Sequence, residues 1–186
     1  MRHQSPTTGL YPVTSHEKKI GSIRDTIYCC MTTWSLSQAY KKYDDDKGKT
    51  YELSQSTVLG LQGILGCWMR QASNLEAFKA NQSPENALHV KFDLINGVEI
   101  MKNSEYGHLQ LDVVSLYLLF LVQAIASGLA VIGSKHEVAF IQNLVFYVER
   151  AYRTPGKFLA KNKSEYRISA SIRRMKMPFI VFFMRN

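Results

Sequence analysis

Apolar residues recur along this chain at the spacing of three and four positions that is typical of amphipathic helices. Four stretches sustain this spacing, and they run from about Thr14 to Tyr43, Thr50 to Ala80, His108 to Ile132 and Ser134 to Arg150. The segments between them are rich in Gly, Asp and Asn, which favour turns. The pattern therefore predicts an all-α fold in which helices pack against one another.

The first stretch carries a start signal and a stop signal for a helix. Thr14-Ser-His-Glu17 has the form of a capping box, in which two side chains satisfy free backbone N–H groups. The turn Asp44-Asp-Asp-Lys-Gly48 ends the stretch. Its three acids lack the alternate spacing and the later Glu of a calcium loop, so we predict a solvated turn and no metal site. Between the two signals lies an apolar stripe at Ile20, Ile23, Ile27, Met31 and Trp34.

The second stretch contains three glycines, Gly60, Gly63 and Gly66. Each one costs a helix interior about 1 kcal/mol relative to Ala, so we predict that they allow a neighbouring helix to approach closely. They do not form a phosphate loop, because no strand precedes them and no Lys-Ser/Thr pair follows. Residues 81–104 then lose the helical spacing and predict a long loop, in which the alternation of Leu88–Phe92 indicates a short strand.

The third stretch is apolar on nearly all sides. Twenty residues from Val113 carry no charge, which is the length of a membrane span. Gln123 and Ser127 interrupt the run, and a buried helix explains it equally well, so a membrane-spanning helix is kept as an alternative. Gly133 stops the helix, and Ser134-Lys-His-Glu137 supplies a second capping box for the fourth stretch.

Charge is unevenly distributed along the chain. Residues 1–152 hold 14 basic and 14 acidic residues, whereas residues 153–186 hold 9 basic residues and one acid, so the whole net charge of +8 lies in the tail. The body therefore gives no electrostatic reason to expect nucleic acid as a partner. Because the tail is basic and unpatterned, we predict a partial helical domain over residues 1–153 and a divergent tail over 154–186. We expect that tail to be disordered or foreign to the fold.

The cysteines and the N-terminus indicate a cytoplasmic protein. Cys29, Cys30 and Cys67 are an odd number without metal-ligand spacing, which is typical of reduced core thiols. The first residues, Met1–Pro6, contain no apolar run that would serve as a signal peptide. We therefore expect a cytoplasmic location.

Seven segments together make the chain similar to the regulatory alpha and beta subunits of phosphorylase b kinase, and more similar to beta. The resemblance extends from about Gln4 to Arg153, which corresponds to a small N-terminal part of those large subunits. The segments that carry it are Gln4–Pro12, Tyr43–Lys49, Trp68–Ala72, Tyr106–Gln110, Ser115–Leu119, Ser127–Leu129 and Glu137–Arg150.

This resemblance implies a fold and a candidate sugar site. The region resembles the glucoamylase-type domain of glycoside hydrolase family 15, an (α/α)6 toroid of alternating inner and outer helices, of which this chain would form part. Glucoamylases carry an Arg-Asp pair near the start of the domain that hydrogen-bonds the sugar, and Ile23-Arg24-Asp25 matches that motif. A planar guanidinium beside a carboxylate offers fixed donors and acceptors that suit neighbouring hydroxyl groups.

The same resemblance argues against catalysis. Glycoside hydrolysis needs two carboxylates, and in the related subunits a Phe-Gly-Val-Trp-Glu-Arg segment lies at the place of the glucoamylase acid. Here the chain reads Arg153-Thr-Pro-Gly-Lys-Phe-Leu-Ala160 instead, without the Trp-Glu pair. The motifs of a protein kinase are absent as well. We therefore expect no catalytic residues, no cofactor and no metal.

The expected function is that of a non-catalytic regulatory subunit, as a fragment or short isoform, which restrains the catalytic subunit in glycogen breakdown. By resemblance, its partners are the catalytic subunit, the other regulatory subunit and calmodulin. Family members are prenylated and peripheral at the cytoplasmic face of the plasma membrane, whereas this chain ends Phe183-Met-Arg-Asn186 without a prenylatable Cys. The alternative is a glucoamylase-like module that binds glucan through Arg24 and Asp25 with little or no hydrolase activity.

Overall fold

The computed structural model describes residues 3–16, 19–101 and 110–153. Three predicted features lie outside the described residues: Glu17 of the first capping box, most of the segment Tyr106–Gln110, and the tail 154–186. In the described residues, the elements in chain order are β1 (Ile20–Ser22), α1 (Ile23–Ala39), a π-helical turn (Tyr40–Asp44), α2 (Lys47–Met69), α3 (Ala72–Asn81), a 3-10 turn (Pro84–Asn86), β2 (Lys91–Asp93), α4 (Leu111–Ala126) and α5 (Lys135–Arg153). Helices dominate, which confirms the predicted all-α class.

The first helix begins eight residues later than the capping signal at Thr14 predicts. The carbonyl oxygen of Ile20 accepts a hydrogen bond from the N–H of Val13 at 3.0 Å, and β1 pairs with β2, so this part of the backbone is extended. Ser22 caps the helix instead. The predicted start is therefore wrong, whereas the predicted end near Tyr43 agrees with the π-helical turn that follows α1.

The second predicted helix is two helices, because the chain breaks at Arg70 and Gln71. Gln71 is buried, and its side-chain oxygen accepts a hydrogen bond from the backbone N–H of His89 at 2.9 Å. Its own N–H donates to the carbonyl of Trp68 at 2.9 Å, a short-range bond that tightens the end of α2. The break thus depends on a partner 18 residues away in sequence.

Gly60, Gly63 and Gly66 of α2 have three different surroundings. A Cβ atom at Gly60 would overlap the sulfur of Cys30 on α1, which confirms the predicted close approach of a neighbouring helix at that position. At Gly63 the close neighbour is the backbone of Thr8, in the N-terminal segment, rather than a helix. A Cβ at Gly66 would meet nothing within 4 Å. The prediction therefore applies to the first glycine alone.

The two strands form a small antiparallel sheet. Ile20 is opposite Asp93, and Ser22 is opposite Lys91. The predicted strand at residues 88–92 is thus displaced by one to three positions, because residues 87–90 are buried in irregular backbone that reaches the sheet only at Lys91.

The apolar third helix, α4, ends at Ala126 rather than at Ile132. Gly128 has a φ of +96°, and its N–H donates to the carbonyl of Ile125 at 2.9 Å, which turns the chain out of the helix. No helix in the described part of the chain is long and apolar enough to cross a membrane.

The second capping box is present as predicted. The hydroxyl of Ser134 accepts a hydrogen bond from the N–H of Glu137 at 3.2 Å. In return, the carboxylate of Glu137 accepts hydrogen bonds from the N–H groups of Gly133 at 2.7 Å and Ser134 at 3.1 Å. This reciprocal arrangement satisfies the free donors at the start of α5 and fixes where that helix begins.

The chain divides into two compact units, each with its own core. Among the described residues, the first contains 3–16, 19–67, 90–100 and 123–131, and its largest buried side chains include Leu10, Ile23, Ile27, Leu61, Ile64 and Phe92. The second contains 68–89, 101, 110–122 and 132–153, and its core includes Trp68, Phe78, Tyr117, Phe120 and Tyr147. In the second core, the rings of Trp68 and Tyr117 meet edge to face at 5.2 Å.

Candidate sugar-binding site

The Arg-Asp pair predicted to contact sugar lies in the first turn of α1. Ser22 precedes the helix in extended conformation, and its hydroxyl accepts a hydrogen bond from the N–H of Asp25 at 3.3 Å. The carboxylate of Asp25 therefore stands at the N-terminal end of the helix dipole, where a negative charge is stabilised. The structure thus places Arg24 and Asp25 together, both half-buried, at a capped helix start.

Backbone hydrogen bonds hold this first turn in place. The N–H of Ile23 donates to the carbonyl of Val90 at 2.9 Å, and the N–H of Ser22 donates to the carbonyl of Tyr11 at 3.2 Å. The hydroxyl of Thr26 donates to the carbonyl of Ser22 at 2.7 Å and accepts from the N–H of Tyr11 at 2.9 Å. The turn that carries the pair is thus tied to two other segments of the first unit.

The N-terminal segment that supplies Tyr11 is itself anchored. The side-chain amide of Gln4 donates to the carbonyl oxygens of Gly9 at 3.0 Å and Ser56 at 2.9 Å. The hydroxyl of Thr8 donates to the carbonyl of Leu94 at 2.7 Å. Gly9 has a φ of +70° and no room for a Cβ atom, so glycine is required there. The segment Gln4–Pro12, which contributes to the resemblance, therefore supports the candidate site through packing.

The side chains of Arg24 and Asp25 are suited to hydrogen bonding with a ligand, but they do not supply the groups that hydrolysis needs. They are consecutive on a helix, so their side chains leave the axis about 100° apart. Together they offer a fork of N–H donors and a pair of acceptor oxygens, which suits the hydroxyl groups of a sugar. Such a pair of groups is suited to binding and orienting a ligand rather than to chemistry. It supplies one carboxylate, whereas glycoside hydrolysis requires two.

The thiols near the site stay protonated at neutral pH. Burial raises the pKa of Cys29, and the neighbouring carboxylate of Asp25 raises it further. Burial, with a smaller contribution from Cys29, raises the pKa of Cys30 to about 12. All three cysteines are free, as predicted. Cys29 and Cys30 are therefore poor nucleophiles and poor metal ligands.

Two features of the site were missed in the sequence. The first is the cap itself: Ser22-Ile-Arg-Asp25 has the spacing of a helix start signal, whereas the predicted helix start rests on Thr14-Ser-His-Glu17 alone. The second is Tyr28, which lies one turn beyond the pair and is 53% exposed. The spacing from Arg24 and Asp25 to Tyr28 was visible in the sequence, whereas the exposure of the ring was not.

No cluster of three or more His, Cys, Asp or Glu side chains that would hold a metal ion occurs in residues 3–16, 19–101 and 110–153. The acids of the turn at 44–46 are exposed, and the N–H of Lys49 donates to the carboxylate of Asp46 at 2.9 Å, which is the arrangement of a helix start.

Comparison with known proteins identifies the family. Residues 1–159 match Glycosyl hydrolases family 15. The chain is 57% identical over 166 residues to "Probable phosphorylase b kinase regulatory subunit beta" of Drosophila melanogaster, covering 89% of this chain and 15% of that protein. It is 49% identical over 158 residues to the corresponding alpha subunit of the same organism, covering 83% of this chain and 13% of that protein.

A mammalian relative gives the same result. The alpha subunit of the skeletal muscle isoform from Oryctolagus cuniculus is 47% identical over 155 residues, which are 82% of this chain and 12% of that protein. The chain therefore resembles beta more than alpha and spans about one seventh or less of the length of these relatives. Since the family match covers most of its residues, the chain belongs to Glycosyl hydrolases family 15.

Proposed function

We propose that this chain acts as part of a non-catalytic regulatory subunit of phosphorylase b kinase, which controls the catalytic subunit in glycogen breakdown. The observation that carries the proposal is the 57% identity to the beta regulatory subunit over 89% of this chain. Because the chain spans 15% of that relative, the proposal concerns the contribution of one region to a larger assembly.

The proposed mechanism is binding rather than chemistry. Family 15 chemistry needs two carboxylates, and the Trp-Glu segment of the related subunits is replaced here by Arg153–Ala160. The further partners under this proposal are the other regulatory subunit and calmodulin. The proposed location is the cytoplasm, with peripheral membrane association supplied by other parts of the assembly.

Complex formation tests the proposal. The purified 186-residue chain is mixed with separately purified phosphorylase b kinase catalytic subunit and passed over a size-exclusion column. The proposal predicts that the two proteins elute together, ahead of either protein alone. The Gly66→Ala variant, which adds a methyl group where nothing lies within 4 Å, serves as a folded control that behaves as the wild type does. Separate elution of the two proteins at micromolar concentration contradicts the proposal.

A second candidate function is glucan binding without hydrolysis. Its support is the Arg24–Asp25 pair in a turn that Ser22 caps, in a chain that belongs to a glycosyl hydrolase family. Isothermal titration of the chain with maltoheptaose measures the affinity directly. Arg24→Ala is expected to abolish binding, whereas Arg70→Ala, which removes an exposed Arg elsewhere, leaves it unchanged. Equal affinities of the two variants contradict this candidate.

A further inference from the structure

The turn that follows β2 contains Asn96-Gly97, the only Asn-Gly pair in the sequence. Asn96 is exposed, whereas Gly97 is buried and has a φ of +68°. Asn-Gly suits a tight turn of this kind because glycine adopts positive φ without a Cβ penalty. Asparagine is also a thermolabile residue, and a glycine after it leaves the next backbone nitrogen unshielded by any side chain. The turn therefore combines a favourable conformation with a chemically reactive pair.

The reaction open to this pair is an attack within the chain. The backbone nitrogen of Gly97, once a base has removed its proton, adds to the side-chain carbonyl carbon of Asn96. The new C–N bond closes a succinimide ring, and the bond from that carbon to the side-chain nitrogen breaks, so ammonia leaves after taking a proton from water. Water then opens the ring at either carbonyl. One opening gives aspartate, and the other gives isoaspartate, in which the backbone runs through the former side chain.

Hydrogen bonds in the turn hold both reacting groups. The N–H of Val98 donates to the side-chain oxygen of Asn96 at 2.9 Å. This bond to a residue two positions ahead draws the amide carbon toward the backbone nitrogen of Gly97, which is the nucleophile. The N–H of Gly97, however, donates to the carbonyl of Asp93 at 2.9 Å. The amide carbon is thus close to its nucleophile, but the nucleophile stays protonated while the turn is closed.

Asp93 closes the turn with its side chain as well as its backbone. Its carboxylate oxygen Oδ1 accepts hydrogen bonds from the N–H groups of Ile95 and Asn96, both at 2.9 Å. Its own N–H donates to the carbonyl of Val98 at 2.8 Å. Exposed loops open locally at a lower free energy than a core does, and Ile95 at this turn is 70% exposed. The reaction therefore proceeds from the opened turn, and the bonds to Asp93 determine how often the turn opens.

The same turn anchors the N-terminal segment. The hydroxyl of Thr7 donates to the carbonyl of Ile95 at 2.8 Å, and the hydroxyl of Thr8 donates to the carbonyl of Leu94 at 2.7 Å. Isoaspartate at position 96 lengthens the backbone by one methylene group immediately after Ile95. The change displaces the carbonyl groups that receive both hydroxyls, so the segment is held less firmly.

We infer that Asn96 is a site of deamidation by water, that the closed turn slows the reaction, and that isoaspartate at this position loosens the N-terminal segment. The reactants are the chain itself and water, with base to remove the proton. The inference is independent of the regulatory and glucan-binding functions proposed above.

The test follows conversion of the full 186-residue chain at mildly alkaline pH, in its folded state and in urea. Peptide mapping by mass spectrometry locates the converted residue, and a methyltransferase that modifies isoaspartyl carboxylates measures isoaspartate. Conversion is expected at Asn96 in both samples, about tenfold more slowly in the folded one, which is the effect of one intact hydrogen bond. Asn96→Gln, whose longer side chain does not close the same ring, is expected to lose the signal at position 96.

Two substitutions at Asp93 test the role of the turn. Asp93→Ala removes both side-chain bonds and is expected to raise the folded-state rate toward the rate in urea. Asp93→Asn keeps an acceptor oxygen and is expected to raise the rate less. Circular dichroism shows whether each variant is folded, and the comparison of folded and urea-unfolded wild type does not depend on either variant.

Thermal denaturation tests the consequence for stability. Wild-type chain that has accumulated isoaspartate is expected to have a lower midpoint than fresh chain. Asn96→Asp, which keeps the acceptor oxygen for the N–H of Val98, is expected to keep the midpoint of fresh chain. An unchanged midpoint in the isoaspartate-containing chain would overturn the loosening of the N-terminal segment.

The remaining outcomes concern the site and its protection. Conversion confined to Asn103, the asparagine that precedes Ser104, would overturn the assignment to Asn96. A folded chain that shows no conversion at Asn96 when the urea sample is fully converted would overturn it too. Equal rates in the folded and urea samples would overturn the protective role of the turn.

Discussion

Gly63 of α2 lies against the backbone carbonyl of Thr8, so closely that a Cβ atom at position 63 would overlap the oxygen. The same residue Thr8 donates its hydroxyl hydrogen to Leu94. A glycine in a helix thus determines how near the N-terminal segment comes to it, and that segment supports the first turn of α1.

Gly63→Ala should destabilise the protein. The added methyl group meets backbone, which cannot rotate away as a side chain does, so the free energy of unfolding is expected to fall by about 1–3 kcal/mol. Urea denaturation, monitored by circular dichroism, measures this free energy. Gly66→Ala is the matched control in the same helix, and it should raise stability by about 0.5–1 kcal/mol because Ala favours helix and nothing opposes it. Equal effects of the two substitutions would contradict the packing described here.

Ser22→Ala should weaken the start of α1. The substitution removes the acceptor of the Asp25 N–H and is expected to cost about 1 kcal/mol of unfolding free energy. Ser35→Ala, at an exposed position in the same helix, should change stability by less than about 0.5 kcal/mol. Thermal denaturation of both variants compares them, and an unchanged midpoint for Ser22→Ala would show that the cap contributes nothing.

Trp68→Phe should lower the free energy of unfolding more than Trp34→Phe does. The indole N–H of Trp68 donates to the carbonyl of His89 at 2.9 Å in a fully buried position. Because the variant leaves that buried carbonyl without this donor, the free energy of unfolding is expected to fall by about 1–3 kcal/mol. Trp34 is half-buried, and its indole donates to Ser127, whose hydroxyl also donates to Ala124. Urea titrations of the two variants measure both losses of unfolding free energy. A larger loss for Trp34→Phe would contradict the burial of Trp68.

The prediction for high pH concerns Cys30. Its folded-state pKa is about 12, raised by burial from an ordinary value near 9. Above pH 9 the unfolded chain releases the thiol proton and the folded chain retains it, so stability falls as the pH rises from 9 toward 12. Cys30→Ala should show a shallower fall over that window than the wild type. The pKa of Tyr11 is raised too, chiefly by burial and in smaller part by Cys30, so its ionisation adds to the fall in both proteins and adds slightly less in Cys30→Ala. Parallel stability curves for the two proteins would contradict the raised pKa.

The helices could be predicted from the sequence because their signals are local. Ser134 and Glu137 form a capping box within four residues, and the structure confirms it. The start of α1 could not be fixed in this way. Two capping signals lie eight residues apart, and the choice between them depends on the pairing of Ser22 with Lys91, which is distant in sequence.

The candidate site was likewise predictable in part. The residue types of Arg24 and Asp25, and the resemblance, were readable from the sequence. The exposure of Tyr28 depends on which face of α1 the core covers, and the break between α2 and α3 depends on the bond from His89 to Gln71. Both follow from tertiary packing, which a periodic pattern does not contain.

The activity of the phosphorylase b kinase catalytic subunit, measured with and without this chain, shows most directly whether this region restrains that subunit. The assay follows transfer of phosphate to phosphorylase b as the chain is titrated from sub-micromolar to tens of micromolar concentration. We expect kinase activity to fall in a saturable way, Gly66→Ala to reproduce the fall, and heat-unfolded chain to leave the activity unchanged. Unchanged kinase activity at saturating, folded chain would contradict the proposal that this region restrains the catalytic subunit.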